Sequence, residues 1–580
     1  MRHLIFNILT LSCALALLPV TASARDEIQP EAATGRTAVK AASANEFMAV
    51  TANPHATRAA LEMLERGGTA VDAAIAAQLM LTLVEPQSSG IGGGAFMLSF
   101  QASDDSLHSF DGRETAPMAV TSEHFMRDGQ PQGFLDAVIG GHSVGVPGVM
   151  HMMELAHKKH GQLPWATLFE PAIALAEEGF EVSPRLHLLL EKMPRVAVRA
   201  EIRDYFFGAD GQPLPVGHLL KNPAYARTLR ILAKDGSDAF YTGEIAAAIV
   251  EAVRNDPENP GVMTLRDMAD YRAIEREPLC STFLQYRVCG ADAPSSGGTT
   301  VGAMLGMLER FPLHTMEAGS SALTHLFIEA SELAFADRNT YLADPGFVQV
   351  PSRALVAPDY LVSRAKLIST DRATDAVPGV PTPATPARQL SKSPELPNTS
   401  HLVIVDRFGN GVSMTTSIET AFGSRLLVGG FLLNNQLTDF SFVPEKADGE
   451  LVANRIQPGK RPRSSMSPTV VLDRDGEMRL LVGSPGGSRI IDYTARTILY
   501  HLALGMPIAE AVAAGNIAAI GGRAEVESGF FSQDTVNSLK QLGHDVVQRD
   551  LNSGIHAIAF VDGKLQGGAD PRREGNAAGR

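Results

Sequence analysis

Residues 398–405 read "NTSHLVIV", and how this stretch is read decides the fold. Ahead of it runs "PGVPTPATPARQLSKSPELPN", rich in Pro, Ser and Thr and without an apolar period. Such a composition buries little surface and reads as a linker. Behind Thr399 and Ser400 the chain turns at once into "HLVIV", whose β-branched density predicts a buried strand. A linker that stops on a threonine at the mouth of a rigid strand suits a chain that is cut there. A threonine hydroxyl is a weak nucleophile, but at a new chain terminus its own α-amine, with a reference pKa of about 8, sits beside it and can take its proton. The competing reading is a plain loop entering a strand, and "NTS" by itself does not choose between the two.

The sequence on either side adds context. Downstream, "GVSMTTSI", "GGFLLNN", "SPTVVLD" and "MRLLVGS" read as strands, with Gly-Asn and Asp-Gly turn signals among them. The last runs into "GSPGGSRI", where a helix is predicted from Ser488; the N–H groups of Gly486 and Gly487 at its start read either as an oxyanion hole or as an ordinary glycine turn. "KRPRSSMSPT" offers the hydroxyls of Ser464 and Ser465, and "LLNNQLTDFS" offers Gln436 and Asp439. Upstream, "FMAVTA" reads as a strand, "PHATRAALEMLERGG" and "TAVDAAIAAQLMLTLVEP" as helices, and "AFMLSF" as a strand; residues 148–340 read as mostly helical.

Two other motifs compete. "SSGIGGGAF", residues 88–96, looks like a phosphate-binding loop, but such loops follow a strand and open a helix. Here the order is reversed, which predicts a tight turn with close backbone approach. "GHSVG", residues 141–145, matches an esterase nucleophile elbow at Ser143, after a strand-like "LDAVIG" and with His556 as a distant base. Pro147 and Gly148 are poor residues for the helix that an elbow requires.

Composition sets the outer limits. The 580 residues allow several domains or one large composite fold, and a net charge of −14 gives no basic footprint for nucleic acid. "MRHLIFNILTLSCALALLPVTASA" has the basic start, apolar middle and small-residue end of a secretory signal spanning 1–24, which predicts a periplasmic or secreted protein with no membrane span after its removal. Cys280 and Cys289 remain, in "CSTFLQYRVC"; a disulfide and a pair of buried thiols are both open.

Taken together, "ANPHATRAALEMLERGGTAVDAAIAAQLMLTLVEPQSSGIGGGAF", "DGRETAP", "PSSGG", "NTSHLVIVD", "LLNNQLTDFS", "KRPRSSMSPT" and "GSPGGSRI" resemble the γ-glutamyltranspeptidases (glutathione hydrolases), of the N-terminal nucleophile hydrolase class, over nearly the whole chain. The resemblance implies an α+β fold, a four-layer αββα sandwich. It also implies self-cleavage between Asn398 and Thr399 into a large chain 25–398, whose residues 371–398 form a flexible linker, and a small chain 399–580; the two chains stay associated. Thr399 would be the nucleophile, Ser417 its hydroxyl partner, and Gly486 and Gly487 the oxyanion hole. Arg113, with Ser464 and Ser465, would hold the substrate α-carboxylate; Gln436, Asp439 and Glu419 would face the α-ammonium. Glutathione or a similar γ-glutamyl compound would be the substrate, water or an amino acid the acceptor, and no metal or organic cofactor is implied.

The sequence departs from the family's commoner pattern in several places. Ser417 replaces a Thr, Glu419 replaces an Asn, Ser400 follows the nucleophile where Thr is also common, and the segment between Asp439 and Lys460, expected to cover the site, lacks a tyrosine that some bacterial members carry. A glutaryl (cephalosporin) acylase on the same scaffold, or an uncleaved amino-acid-binding homologue, are the rival expectations.

Overall fold

A computed structural model describes residues 31, 35–37, 41–193, 195–382, 398–445 and 449–580. The predicted signal segment 1–24 and residues 383–397 of the predicted linker lie outside them.

Two antiparallel sheets of seven strands form the centre. One runs, edge to edge, Asn576–Gly579, Met48–Thr51, Ser400–Val405, Gly411–Ser417, Gly94–Gln101, Ser106–Gly112 and Ile274–Arg276. The other runs Ala42–Ala44, Lys564–Ala569, His556–Val561, Met478–Gly483, Thr469–Leu472, Tyr286–Gly290 and Leu279–Phe283. Strand alternation explains the layering, since successive side chains point to opposite faces. In Ser400–Val405, Leu402 and Ile404 pack with the helices Pro54–Glu65 and Ala70–Val84, while Val403 and Val405 pack with Val470, Leu481 and Ile558 of the facing sheet. Both faces are covered, so every residue of the strand is buried. On the far side, Val471, Leu480, Val482 and Ala557 meet the helices Gly297–Leu308, Ser321–Tyr341 and Ile490–Leu502. The result is helix, sheet, sheet, helix: the αββα sandwich. At about 1.5–3 kcal/mol for each fully buried Val, Leu or Ile, these three apolar layers dominate the stability.

Local signals explain the flanking helices. Asn53 caps Pro54–Glu65, with Pro54 at its first turn, and Thr69 and Asp72 form a capping box on Ala70–Val84. That second helix is buried all round, which its alanines permit. Asp406, just past the central strand, accepts the backbone N–H of Ala70 at 2.9 Å and ties helix to sheet.

The loop 88–94 is the predicted close approach. A Cβ on Gly92 would lie 2.2 Å from the Leu432 carbonyl, and one on Gly93 would lie 2.1 Å from that of Ser417. Cys280 and Cys289 face each other in register and are bridged, which decides between the two readings of that pair.

Several local expectations are corrected. "LDAVIG" is not a strand; Phe134–Val138 is a short helix behind Gly133. In "GGFLLNN" the strand is only Phe431–Leu432, because Gly429 and Gly430, at φ +55° and +85°, make the two-residue turn of a hairpin with Leu427–Val428; Leu433 adds a single bridge to Gly92. The helix predicted from Ser488 starts as a 3-10 turn, Gly487–Arg489, and becomes α-helical at Ile490. Residues 371–382, expected to begin a flexible linker, are anchored. The Ala373 N–H donates to Leu542, that of Gly379 to Asp337 at 2.7 Å, and Tyr341 and Arg364 donate to the carbonyls of Gly379 and Val377. Pro- and Thr-rich texture does not prevent a segment from having its backbone groups met by side chains of the body.

Candidate active site

Thr399 stands one residue before the central strand and is 3% exposed. Its hydroxyl donates to Ser417 Oγ at 3.3 Å. Ser417 ends the neighbouring strand, which brings it level with the start of Ser400–Val405, and its own hydroxyl donates to the Asn398 carbonyl at 2.9 Å. It also accepts the Glu419 N–H at 2.9 Å, so one donor and two lone pairs are all used. The residues on either side of the Asn398–Thr399 peptide are held as well. Arg573 donates to the Thr399 carbonyl at 3.0 Å, and Arg185 and Ser88 donate to the Asn398 side-chain oxygen at 3.3 and 3.4 Å. Both arginines pair with buried Glu31.

The glycine pair has a conformational reason. Gly486 lies at φ +140°, where a Cβ would also come within 2.8 Å of the Tyr493 ring, and Gly487 lies at φ +60°. They turn the chain from Met478–Gly483 into the helical stretch, whose N-terminal end favours developing negative charge. Gly487 lines the same cavity as Thr399.

Ionisable groups occupy the other end of this cavity. Arg113 is fully buried at the end of Ser106–Gly112, and its Nη2 donates to Asp439 at 2.5 Å and to the Arg463 carbonyl at 3.0 Å. Its Nε donates to the Pro462 carbonyl at 3.1 Å, and Nη1 lies 3.5 Å from Glu114. Burial pushes the Glu114 carboxyl up to about 8 against the pull of Arg113, so at neutral pH it is protonated and Asp439 carries the counter-charge. Glu419, at a left-handed φ of +79°, accepts from the Asn435 amide at 2.7 Å.

The two serines are set as donors. Ser464 Oγ accepts the Met466 N–H at 3.1 Å, and Ser465 Oγ accepts from Arg338 at 2.6 Å. With those lone pairs engaged, each hydroxyl proton is left for an anion. Every predicted site residue except Gly486 lines one cavity of about 20 Å³; Met466 and Ile490 complete its described lining. That volume holds about one water, so a larger guest must displace or reorder side chains.

Sequence reasoning missed the supporting shell. Arg185, Arg338 and Arg573 sit in unremarkable contexts, and only the fold brings them to Asn398, Ser465 and Thr399. Glu114 did carry a signal, lying beside Arg113 in "DGRETAP". The segment expected to cover the site does not line the cavity in its described part. Phe442 stacks on Phe125 with ring centroids 4.4 Å apart, and Asn454 donates to the Asp439 carbonyl at 2.7 Å, which holds the segment alongside. The elbow reading of Ser143 finds no support: its buried hydroxyl is turned to the backbone just ahead of it, to the Val138 carbonyl at 2.6 Å and that of Gly140 at 3.1 Å. Among the described residues, no helix is long and apolar enough to cross a membrane.

Known proteins resemble this chain over most of its length. Residues 56–580 match the sequence model of the gamma-glutamyltranspeptidase family. The glutathione hydrolase proenzyme of Bacillus subtilis (strain 168) is 34% identical over 92% of this chain and 91% of its own. The acylase ACY 1 proenzyme of Pseudomonas sp. (strain SE83) is 33% identical over 92% and 94%. The crystal structure of cephalosporin acylase from Bacillus halodurans superposes with a TM-score of 0.83 at 28% identity, covering 95% of this chain and 99% of that one. This chain belongs to the gamma-glutamyltranspeptidase family.

Proposed function

We propose that the protein is an exported, self-processing γ-glutamyl hydrolase and transferase. The observation that carries the reading is the Ser417 hydroxyl, bonded at once to Thr399 Oγ1 and to the Asn398 carbonyl, in a cavity whose other end holds Arg113 and Asp439. In the uncut chain Thr399 Oγ adds to the Asn398 carbonyl carbon while Ser417 donates to its oxygen. The C–N bond then breaks as the Thr399 hydroxyl proton passes to the nitrogen, leaving Asn398 as an ester on Thr399 Oγ and the Thr399 nitrogen as an amine. Water hydrolyses the ester, and the linker end leaves the site.

Turnover repeats this chemistry on an external amide. The freed amine takes the Thr399 hydroxyl proton, Oγ attacks a γ-glutamyl carbonyl, and the N–H groups of Gly486 and Gly487 hold the oxyanion. The leaving amine departs protonated, and water or an amino-acid amine resolves the γ-glutamyl ester. A free amino-acid head fits the charged end: its α-carboxylate meets Arg113 and the two serine hydroxyls, and its α-ammonium meets Asp439, Gln436 and Glu419. This head takes over both halves of the Arg113–Asp439 pair, so each charge keeps a partner when the substrate enters.

The likeness to acylases favours a second reading, in which a glutaryl amide is cleaved. A glutaryl group has no α-ammonium to meet Asp439, Gln436 and Glu419 when its carboxylate engages Arg113. Kinetics on matched γ-glutamyl and glutaryl anilides test the choice. We expect kcat/KM to favour the γ-glutamyl anilide by at least about 10²-fold, the scale of one lost charge-assisted contact to the α-ammonium; preference for the glutaryl anilide would replace this reading with the acylase.

A further inference from the structure

On the far side of the molecule's second sheet, three ligating side chains meet in a buried cluster that the reaction does not use. His325 and Glu329 lie one turn apart on the helix Ser321–Tyr341, and His544 follows the helix Gln533–Gln541. All three are buried, at 1%, 1% and 8% exposure. His325 Nδ1 and His544 Nε2 are 2.6 Å apart, a Glu329 oxygen lies 4.0 Å from His544 Nε2, and one ligand atom of each residue lies within 4.8 Å of the others.

The surroundings orient these groups. His325 Nε2 lies 2.7 Å from the Ser369 carbonyl, which can only accept, so the ring proton is on Nε2 and the Nδ1 lone pair points at the cluster. A second-sphere carbonyl that fixes the ring in this way is the usual support for a metal-bound imidazole. Glu329 is held in turn by Thr374, whose N–H donates to one oxygen at 3.1 Å and whose hydroxyl donates to the other.

We infer that His325, His544 and Glu329 form a binding site for one divalent transition-metal ion of the zinc type. Two imidazole nitrogens and a carboxylate oxygen suit zinc and its neighbours rather than calcium or magnesium, which take all-oxygen shells. Nitrogens about 2.1 Å from a tetrahedral ion stand roughly 3.4 Å apart, so binding asks the His pair to open by about 0.8 Å. Three protein ligands leave the fourth position to water. His325 and Glu329 precede Thr399 in the chain and His544 follows it, so, resting on the cleavage proposed above, the ion would clamp the large and small chains together. Through Ser369 and Thr374 it would also pin the start of the segment that leads to Asn398.

Purified processed protein, stripped with EDTA and titrated with Co²⁺, tests this. The site predicts one equivalent bound, the visible absorption of tetrahedral Co²⁺, displacement by Zn²⁺ and a higher melting temperature with Zn²⁺. Affinity should fall at least about 10-fold in Glu329→Gln and be lost in His325→Ala. If His325→Ala does not fold, His544→Gln serves, because its amide can still donate to His325 Nδ1 but is a poor metal ligand. No stoichiometric Co²⁺ in the wild type, or equal Co²⁺ binding in His544→Gln, would overturn the site and leave a His–His hydrogen bond only. Fragment masses from the same samples separate the two claims: intact processing without metal overturns only the site, and metal binding to an uncut chain overturns only the clamp.

Discussion

The two ends of the cavity are built on opposite principles. At the end proposed to react, Thr399, Ser417 and Gly487 are uncharged and sit where a strand or a helical turn begins or ends, so backbone position is what places them. At the end proposed to hold the head, Arg113, Glu114, Asp439 and Glu419 are ionisable and buried, so pairing of charge is what holds them. The difference teaches where each end is fragile. The reactive end fails when geometry shifts by a fraction of an ångström, whereas the head end fails when one charge loses its partner.

Removing a charge should therefore have the larger effect on turnover and the smaller one on self-cleavage. Arg113→Ala is expected to lower kcat/KM for γ-glutamyl substrates by about 10³-fold, in line with about 3–5 kcal/mol for breaking a buried pair, while fragment masses remain those of the cut chain. Loss of cleavage together with turnover would mean that the two ends do not act separately. Gly486→Ala probes the other end. The new Cβ meets the Tyr493 ring at a φ that L-residues avoid, and the oxyanion donors move with it, so kcat should fall about 10²-fold with KM nearly unchanged.

The carboxyl of Glu114 sharpens the comparison through pH. Burial raises it from 4.5 to about 8, so its contribution to stability is intact below about pH 4.5 and is lost as pH rises through about 8. Glu114→Gln, a neutral isostere of the protonated acid, should change the melting temperature little near pH 4.5 and flatten its decline between about pH 4.5 and 8, by a few degrees at most. An unchanged slope over that range would show that Glu114 is ionised in the folded protein. Ser143→Ala should have the smallest effect, about 1 kcal/mol of stability from one lost hydrogen bond and unaltered kcat.

The same contrast governs what could be read in advance. The central strand was legible because "HLVIV" states its burial in its composition, and the αββα class followed from the family resemblance. Short-range chemistry was legible too: glycines at positive φ, a threonine before a strand, an arginine in "DGRETAP". Arg338, Arg185 and Arg573 were not, because each lies 127 or more positions from the residue it supports and no local pattern encodes that meeting. The anchoring of residues 371–382 was missed for a related reason. Composition reports what a segment can bury by itself, not which carboxylates and hydroxyls the body holds out to its backbone. "LDAVIG" was misread because short apolar runs fit either a strand or a buried helical turn.

The central claim is that Thr399 cuts its own chain and then acts as the nucleophile. The most direct test is the intact mass of the exported protein beside that of Thr399→Ala. The account predicts two fragments for the wild type, one of them beginning at Thr399, and a single uncut, folded chain without γ-glutamyl activity for the variant. A folded wild type that stays whole yet hydrolyses γ-glutamyl anilides, or a Thr399→Ala chain that is still cut at that bond, would contradict it.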